Sequence, residues 1–232
     1  MGILILNIDT AFDTACISLA EDGVPLLFSE NETRNDHAAW LLTAIADLMK
    51  QSRNSLQDLK AVAVNNGPGS YTGIRIGLSA AKGLCYALQI PLITVNSLEV
   101  MALDAILELK ADKRDLPVSD MLFCPMIDAR RMEVFAAVYN ADLITIMKPA
   151  AYVLNSHSFD EILGRQKILF FGNGSIKFQR ICLNPDAIFK KFSFNPLALA
   201  SLTYKNFIGN NFAGLAYTEP FYLKEFFTSG EA

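Results

Sequence analysis

Leu6-Asn7-Ile8-Asp9-Thr10, a short turn and then Ala15-Cys16-Ile17-Ser18-Leu19 stand near the start of the chain. Pro125-Met126-Ile127-Asp128-Ala129, another short turn and then Glu133-Val134-Phe135-Ala136-Ala137-Val138 repeat the pattern, with Asp128 lying 119 residues after Asp9. Each unit reads as strand, acid-bearing turn, strand, which is a hairpin signature. A repeat at half the chain length predicts an α/β protein of two related lobes. The polar stretch Lys110 to Asp120 reads as the linker. The first lobe is expected over residues 1–109 and a smaller second one over 110–232, with the C-terminal segment a candidate to return to the first.

Outward from the first hairpin, Val24 to Glu30 reads as a third strand. A helical stripe follows from Asp36 to Gln51, with Trp40, Leu41, Ala44, Ile45, Leu48 and Met49 on one side and Asn35 or Asp36 as its cap. Lys60 to Asn65 is a buried strand and Ile90 to Val95 another, and Met101 to Leu109 is helical. In the second half the pattern predicts helices at 159–163 and 176–183, a strand at 167–171, and a last helix opened by Asn195 and Pro196.

Between the buried strands lies Asn65-Asn66-Gly67-Pro68-Gly69-Ser70-Tyr71-Thr72-Gly73-Ile74-Arg75-Ile76-Gly77, running on as a helix to Leu88. Glycines allow close backbone approach, and the N–H groups of a following helix N-terminus can hold a phosphate. No Gly-Lys-Ser/Thr follows, so this is not a P-loop. The competing reading is a tight turn and a closely packed helix. Gly73, Gly77 and Ala81 recur every four residues, with Ala80 beside them and Leu84 and Leu88 continuing the face. Glycine inside a helix costs about 1 kcal/mol relative to alanine, so the stripe needs a close neighbour, in this chain or in a partner.

Val95-Asn96-Ser97-Leu98-Glu99-Val100-Met101 has the frame of a metal site without its ligands. Histidines at 97 and 101 would lie one helical turn apart and face one ion; Ser97 and Met101 are poor substitutes. No metal site is expected. Asp9 and Asp128 can face magnesium through water or simply cap their turns. Arg130 and Arg131 either bind an anion or form a solvated turn. His37, near a helix start where the dipole disfavours imidazolium, and His157, between two serines, read as structural. Trp40, the only tryptophan, is core, or an interface anchor where its face is exposed.

Composition narrows the field. The chain has 232 residues, 52% apolar, with mean hydropathy +0.27. That excess suggests apolar surface kept for a partner. No apolar run approaches the roughly 18 residues of a membrane span, Met1 to Ile8 carries no basic n-region, and Leu6 stands where a myristoylation site needs Ser or Thr. A cytoplasmic, membrane-free protein is expected. Cys16, Cys85, Cys124 and Cys182 form no C-x-x-C pair. The net charge is −4 and the 20 basic residues are dispersed, which disfavours nucleic-acid binding by this chain alone.

The run from Asn66 to Leu84, with Ile8-Asp9-Thr10 before it, Asp128-Ala129-Arg130 and Glu133-Val134 after it, and the tail Glu219-Pro220-Phe221-Tyr222-Leu223-Lys224, resembles the bacterial TsaB (YeaZ) family. The resemblance covers residues 1 to 101 and is patchier beyond, notably over 140–155 and 206–214. It implies the actin-like ATPase (ASKHA, ribonuclease H-like) superfold with two duplicated lobes. It also implies a non-catalytic relative of TsaD, whose Val-Asn-His-x-Glu-Gly-His setting is matched here by Val95 to Met101 without the histidines. The implied role is that of a scaffold which binds TsaD, with TsaE, and supports transfer of a threonylcarbamoyl group to the adenosine beside a tRNA anticodon. ATP, metal and threonylcarbamoyl-adenylate would belong to the partners, and tRNA would be met only within the complex. The expected pairing face is Trp40, Leu41 and Ile45 with Gly73, Gly77, Ala80, Ala81 and Leu84, open to self-pairing when TsaD is absent. The rival is an ASKHA-type ATPase or kinase using Asp9 and the Gly67–Gly73 loop, with Gly69 and Ser70 as its cofactor contacts.

Overall fold

The computed structural model describes residues 2–33, 36–112, 118–192 and 195–223. Asn35, Lys224 and positions 113–117 of the expected linker lie outside the described residues. The chain forms two compact units, residues 1–113 with 192–220 and residues 114–191 with 221–232.

In the first unit, strands β1 (Leu4–Asp9), β2 (Ala15–Glu21) and β3 (Val24–Asn31) form an antiparallel meander. β4 (Ala61–Asn65) and β5 (Leu92–Val95) add in parallel on the other side of β1, giving the order β3-β2-β1-β4-β5. In the second unit, β6 (Met121–Asp128), β7 (Glu133–Tyr139) and β8 (Thr145–Val153) form the meander, and β9 (Lys167–Phe171) and β10 (Ala187–Phe189) the parallel side. Read from its other edge that sheet is β8-β7-β6-β9-β10, the same topology. The duplication inferred from two hairpins therefore extends to all ten strands among the described residues, and gives two α/β units of the same sheet topology.

Two strands carry no clear signal in the sequence. The strand β8 went unread because Pro149 and two alanines interrupt its pattern; an edge strand tolerates proline, since one side of its ladder is unpaired. The strand β10 is three residues long and leaves almost no periodic signal.

Helix α1 (His37–Ser52) and helix α2 (Tyr71–Leu88) cover one face of the first sheet. Strand alternation sends Leu4, Leu6 and Ile8 of β1, and Ile17 and Leu19 of β2, into one cluster with Leu41, Ile45 and Leu48 of α1 and Leu78 and Ala81 of α2. Asp36 occupies the cap position of α1 but makes no side-chain cap bond. Helix α3 (Ser97–Ala111) starts four residues earlier than expected, because Asn96 accepts the Leu98 N–H at 2.9 Å and caps it. Helices α4 (Asp160–Leu163) and α5 (Ser175–Gln179) are short, α5 ending before the expected Leu183.

The last helix, α6 (Pro196–Ile208), belongs to the first unit, so the C-terminal segment, a candidate to return to the first lobe, leaves the 110–232 span at this helix. It packs on β1, β3 and β5 and on α3. Two polar contacts fix it. Thr203 Oγ1 donates to Asn7 Oδ1 at 2.7 Å in the core. The Asn195 N–H, at the helix cap, donates to Asp104 Oδ2 at 3.2 Å. Burial pushes the Asp104 carboxyl up to about 7; the Asn195 bond opposes this and the charge of Glu108 adds to it.

Two predictions follow from these contacts. Thr203→Val leaves the buried Asn7 carboxamide without its donor and should lower the stability of the first unit by about 1–3 kcal/mol, read by urea unfolding on Trp40 fluorescence. Because the folded pKa of Asp104 is raised, its contribution is complete below the unfolded value near 3.8 and is lost as pH rises toward about 7. Asp104→Asn should therefore gain on the wild type in thermal melts as pH is raised from 4 to 8, with little difference at the acid end.

Candidate functional site

The end of β1 and the start of α2 meet in a buried polar knot. Asp9 is sealed from solvent, and its Oδ1 accepts the Ala11 N–H at 3.0 Å, closing the hairpin turn. Its Oδ2 accepts from Asn65 Nδ2, at the end of β4, at 2.8 Å. Asn65 Oδ1 in turn accepts from Ser97 Oγ at 2.7 Å and from the Gly67 N–H at 3.1 Å. Ser97, expected to mark an emptied metal frame, is the third member of this chain. Burial raises the Asp9 pKa, against the opposing bonds from Asn65 and Ala11, so the site disfavours the charged carboxylate.

The glycine-rich loop is tied to the same knot. The Ser70 N–H donates to Ala11 O at 2.8 Å, the Gly73 N–H to Ser70 Oγ at 3.2 Å, and the Ser97 N–H to Gly67 O at 2.9 Å. Thr10 Oγ1 donates to Gly73 O at 2.6 Å. A Cβ on Gly69 would overlap Ala11 O, one on Gly73 would overlap Thr10 O, and one on Gly77 would overlap Thr10 Oγ1. The close neighbour of the glycine stripe is therefore the β1 strand and turn of this chain. That corrects the expected pairing face: Leu41, Ile45, Gly73, Gly77 and Ala81 are buried in the first unit's own core, and only Trp40, Ala80 and Leu84 of that set keep part of their surface.

A phosphate reading of the loop needs backbone N–H groups aimed outward. Those of Gly67, Ser70 and Gly73 are engaged within the chain. Gly69 and Ser70 serve instead as a close-packing position and as the cap of α2.

The second unit carries the counterpart of the knot with opposite electrostatics. Asp128 Oδ1 accepts the Arg130 N–H at 2.7 Å, as Asp9 accepts that of Ala11, and the Asp128 N–H donates to Asn173 Oδ1 at 2.8 Å. Its second partner is Lys177 Nζ, also at 2.7 Å. Partial burial alone would raise its pKa, but the Lys177 and Arg130 bonds and the Lys177 charge outweigh that and hold Asp128 below the usual carboxylate value. Arg130 and Arg131 are exposed at the turn. His157 is a surface residue, with Nδ1 3.0 Å from Asp160 Oδ2. His37 Nε2 lies 3.3 Å from Phe12 O, a structural contact on the first turn. Cys16, Cys85 and Cys124 are buried, and burial pushes the Cys85 thiol up to about 11. Among the described residues no cluster of three metal-ligating side chains forms, and no helix is long and apolar enough to cross a membrane.

The family model of the tRNA N6-adenosine threonylcarbamoyltransferase, TsaD, matches residues 30–222. The TsaB protein of Bacillus subtilis is 35% identical over 135 residues, 58% of this chain and 54% of that one. The TsaB protein of Buchnera aphidicola subsp. Baizongia pistaciae is 28% identical over 95% of this chain and 98% of its own. The chain belongs to the TsaB (YeaZ) family. Its match spans about half the length of the B. subtilis relative. A solved structure of YeaZ from Pseudomonas aeruginosa superposes over 95% of this chain and all of that one with TM-score 0.78, at 24% identity, which bears on the fold. In this fold Asp9, Asn65, Ser97, Ser70 and the Gly67 and Gly73 N–H groups bond to one another or to the neighbouring backbone.

One substitution should act with opposite sign at two glycines of α2. Gly77→Ala drives a methyl into Thr10 and should destabilise by about 1–3 kcal/mol. Nothing lies within 4 Å of a Cβ on Gly83, so Gly83→Ala should stabilise the isolated chain by up to about 1 kcal/mol. Thermal denaturation of both variants checks this.

Proposed function

We propose that this chain is the non-catalytic subunit of an assembly that forms threonylcarbamoyladenosine in tRNA, and that it pairs with TsaD. The observation that carries this reading is the fate of its two turn acids. Burial disfavours charge on Asp9, and Lys177 pairs Asp128. With the N–H groups of Gly67, Ser70 and Gly73 also engaged, these residues do not fit a magnesium nucleotide, and the ATPase or kinase alternative loses support. ATP, metal and the threonylcarbamoyl-adenylate are then handled by partners, TsaD and TsaE, and tRNA is met within the complex, in the cytoplasm. The relatives named for tRNA threonylcarbamoyladenosine biosynthesis support the general role.

The pairing face lies on the outer sides of α1 and α2. Leu42 is 60% exposed and Tyr86 72% exposed, beside the partly covered Trp40, Ala80 and Leu84. Gly83 sits within α2 on its exposed side, and none of the described residues comes within 4 Å of a Cβ position there to account for its helix penalty. A second helix pair packing ridges into grooves across this face would use the missing side chain for close approach.

Size-exclusion chromatography with light scattering, on the chain alone and mixed with TsaD of the same organism, tests the reading. A one-to-one complex is expected, replacing any self-dimer, and lost in Leu42→Glu and Tyr86→Glu while the circular dichroism of both variants stays that of the wild type. Calorimetry of the chain alone with magnesium ATP should show no binding. Tight ATP binding abolished by Asp9→Ala would restore the enzyme reading.

A further inference from the structure

The first unit has a second surface feature, at the opposite edge of α1 from α2. β3 is the last strand of its sheet, so alternate N–H and C=O groups along its outer edge point away from the sheet. Between β3 and α1 runs a groove of about 400 Å3, floored by Trp40, Ala44 and Leu48 and flanked by Phe28. That volume accommodates a large side chain and its backbone. Asp36 and Asp47 stand at the groove, and among the described residues lining it none is Lys or Arg. Glu30 and Glu32, both exposed, continue the acidic character where the chain leaves β3.

The spacing of the two groove acids carries geometric information. Eleven residues apart in sequence, they are separated by about three helical turns, so they lie on the same side of α1 and about 16 Å apart along its axis. An extended chain covers that distance in roughly five residues. An apolar floor between two carboxylates, beside an unpaired strand edge, fits a peptide whose basic residues bracket an apolar one. It repels the phosphates of a nucleic acid, and the chain's own net charge of −4 makes a second copy a poor occupant.

We propose that the β3–α1 groove docks an extended, cationic segment of a partner protein, which adds to the edge of β3, seats an apolar side chain on Trp40 and sets Lys or Arg against Asp36 and Asp47. The groove shares Trp40 with the proposed TsaD pairing face, but its carboxylates and its strand edge lie outside that face, so Leu42→Glu and Tyr86→Glu test the pairing and the Asp36 and Asp47 variants test the groove.

Trp40 is the chain's single tryptophan, so its emission reports occupancy of the groove directly. The experiment pans a displayed library of short random peptides on the full chain, with counter-selection on an Asp36→Lys, Asp47→Lys double variant whose fold is verified by circular dichroism. Enriched peptides should carry Lys or Arg on both sides of an apolar residue. They should shift Trp40 emission, bind Asp47→Lys at least about tenfold more weakly and weaken with added salt. The single variant Asp47→Asn, which removes charge without reversing it, should give an intermediate loss. Failure to enrich any peptide, enrichment without basic residues, equal binding to the double variant, or an unchanged Trp40 spectrum would each overturn the assignment.

Discussion

The first unit is organised around one buried carboxylate whose hydrogen-bond partners among the described residues are neutral. Asp9 is fully enclosed, and its resolved partners are a neutral amide and a backbone N–H. A buried charge held only by neutral donors is expensive, which is why burial outweighs both bonds and raises its pKa. The enclosure is not incidental. Asn65 can serve Asp9 only while Ser97 and Gly67 hold its carbonyl oxygen, and Gly67 is held in turn by the Ser97 N–H. The ends of β1 and β4, the glycine loop and the start of α3 are thereby one hydrogen-bonded unit. The first turn of α2 joins it through Thr10 and Gly73.

Duplication makes the comparison within the chain informative. The same acid at the same turn of the second unit, with the same bond to the residue two positions on, is given a lysine. One acid is depleted of charge by its surroundings and the other is neutralised by a partner. The shared hairpin therefore carries its acid in two different electrostatic settings, enclosed among neutral donors in the first unit and paired with a lysine in the second.

Much of this was legible in the residues, and the failures have specific causes. The two hairpins, the buried strands and α2 are strong local patterns, and Asn195-Pro196 announces its helix through cap chemistry that does not depend on tertiary contacts. The glycine stripe was visible, but its neighbour was not: Gly73 and Gly77 signal a close approach, and only the fold shows that Thr10, some sixty residues earlier, makes it. The partnership of Asp9 with Asn65 and of Asp128 with Lys177 likewise joins residues distant in sequence. So does the return of α6 to the first sheet through Thr203 and Asn7, 196 residues apart. Pattern reading sees which residues are unusual and is blind to which of them meet.

That distinction also relocates the surface that matters. A small residue in a helix has meaning only relative to what lies opposite it. At Gly77 the opposite atom is Thr10 Oγ1 and the residue is explained by this fold. At Gly83, on the exposed side of the same helix, none of the described residues comes within 4 Å of a Cβ position, so the helix retains a weakness from which the described packing gains nothing. Leu42 and Tyr86 are exposed on the same pair of helices. The glycines of the recognisable loop, Gly69, Gly73 and Gly77, are the ones that hold the lobe together, because each meets the β1 turn at a distance no Cβ could share.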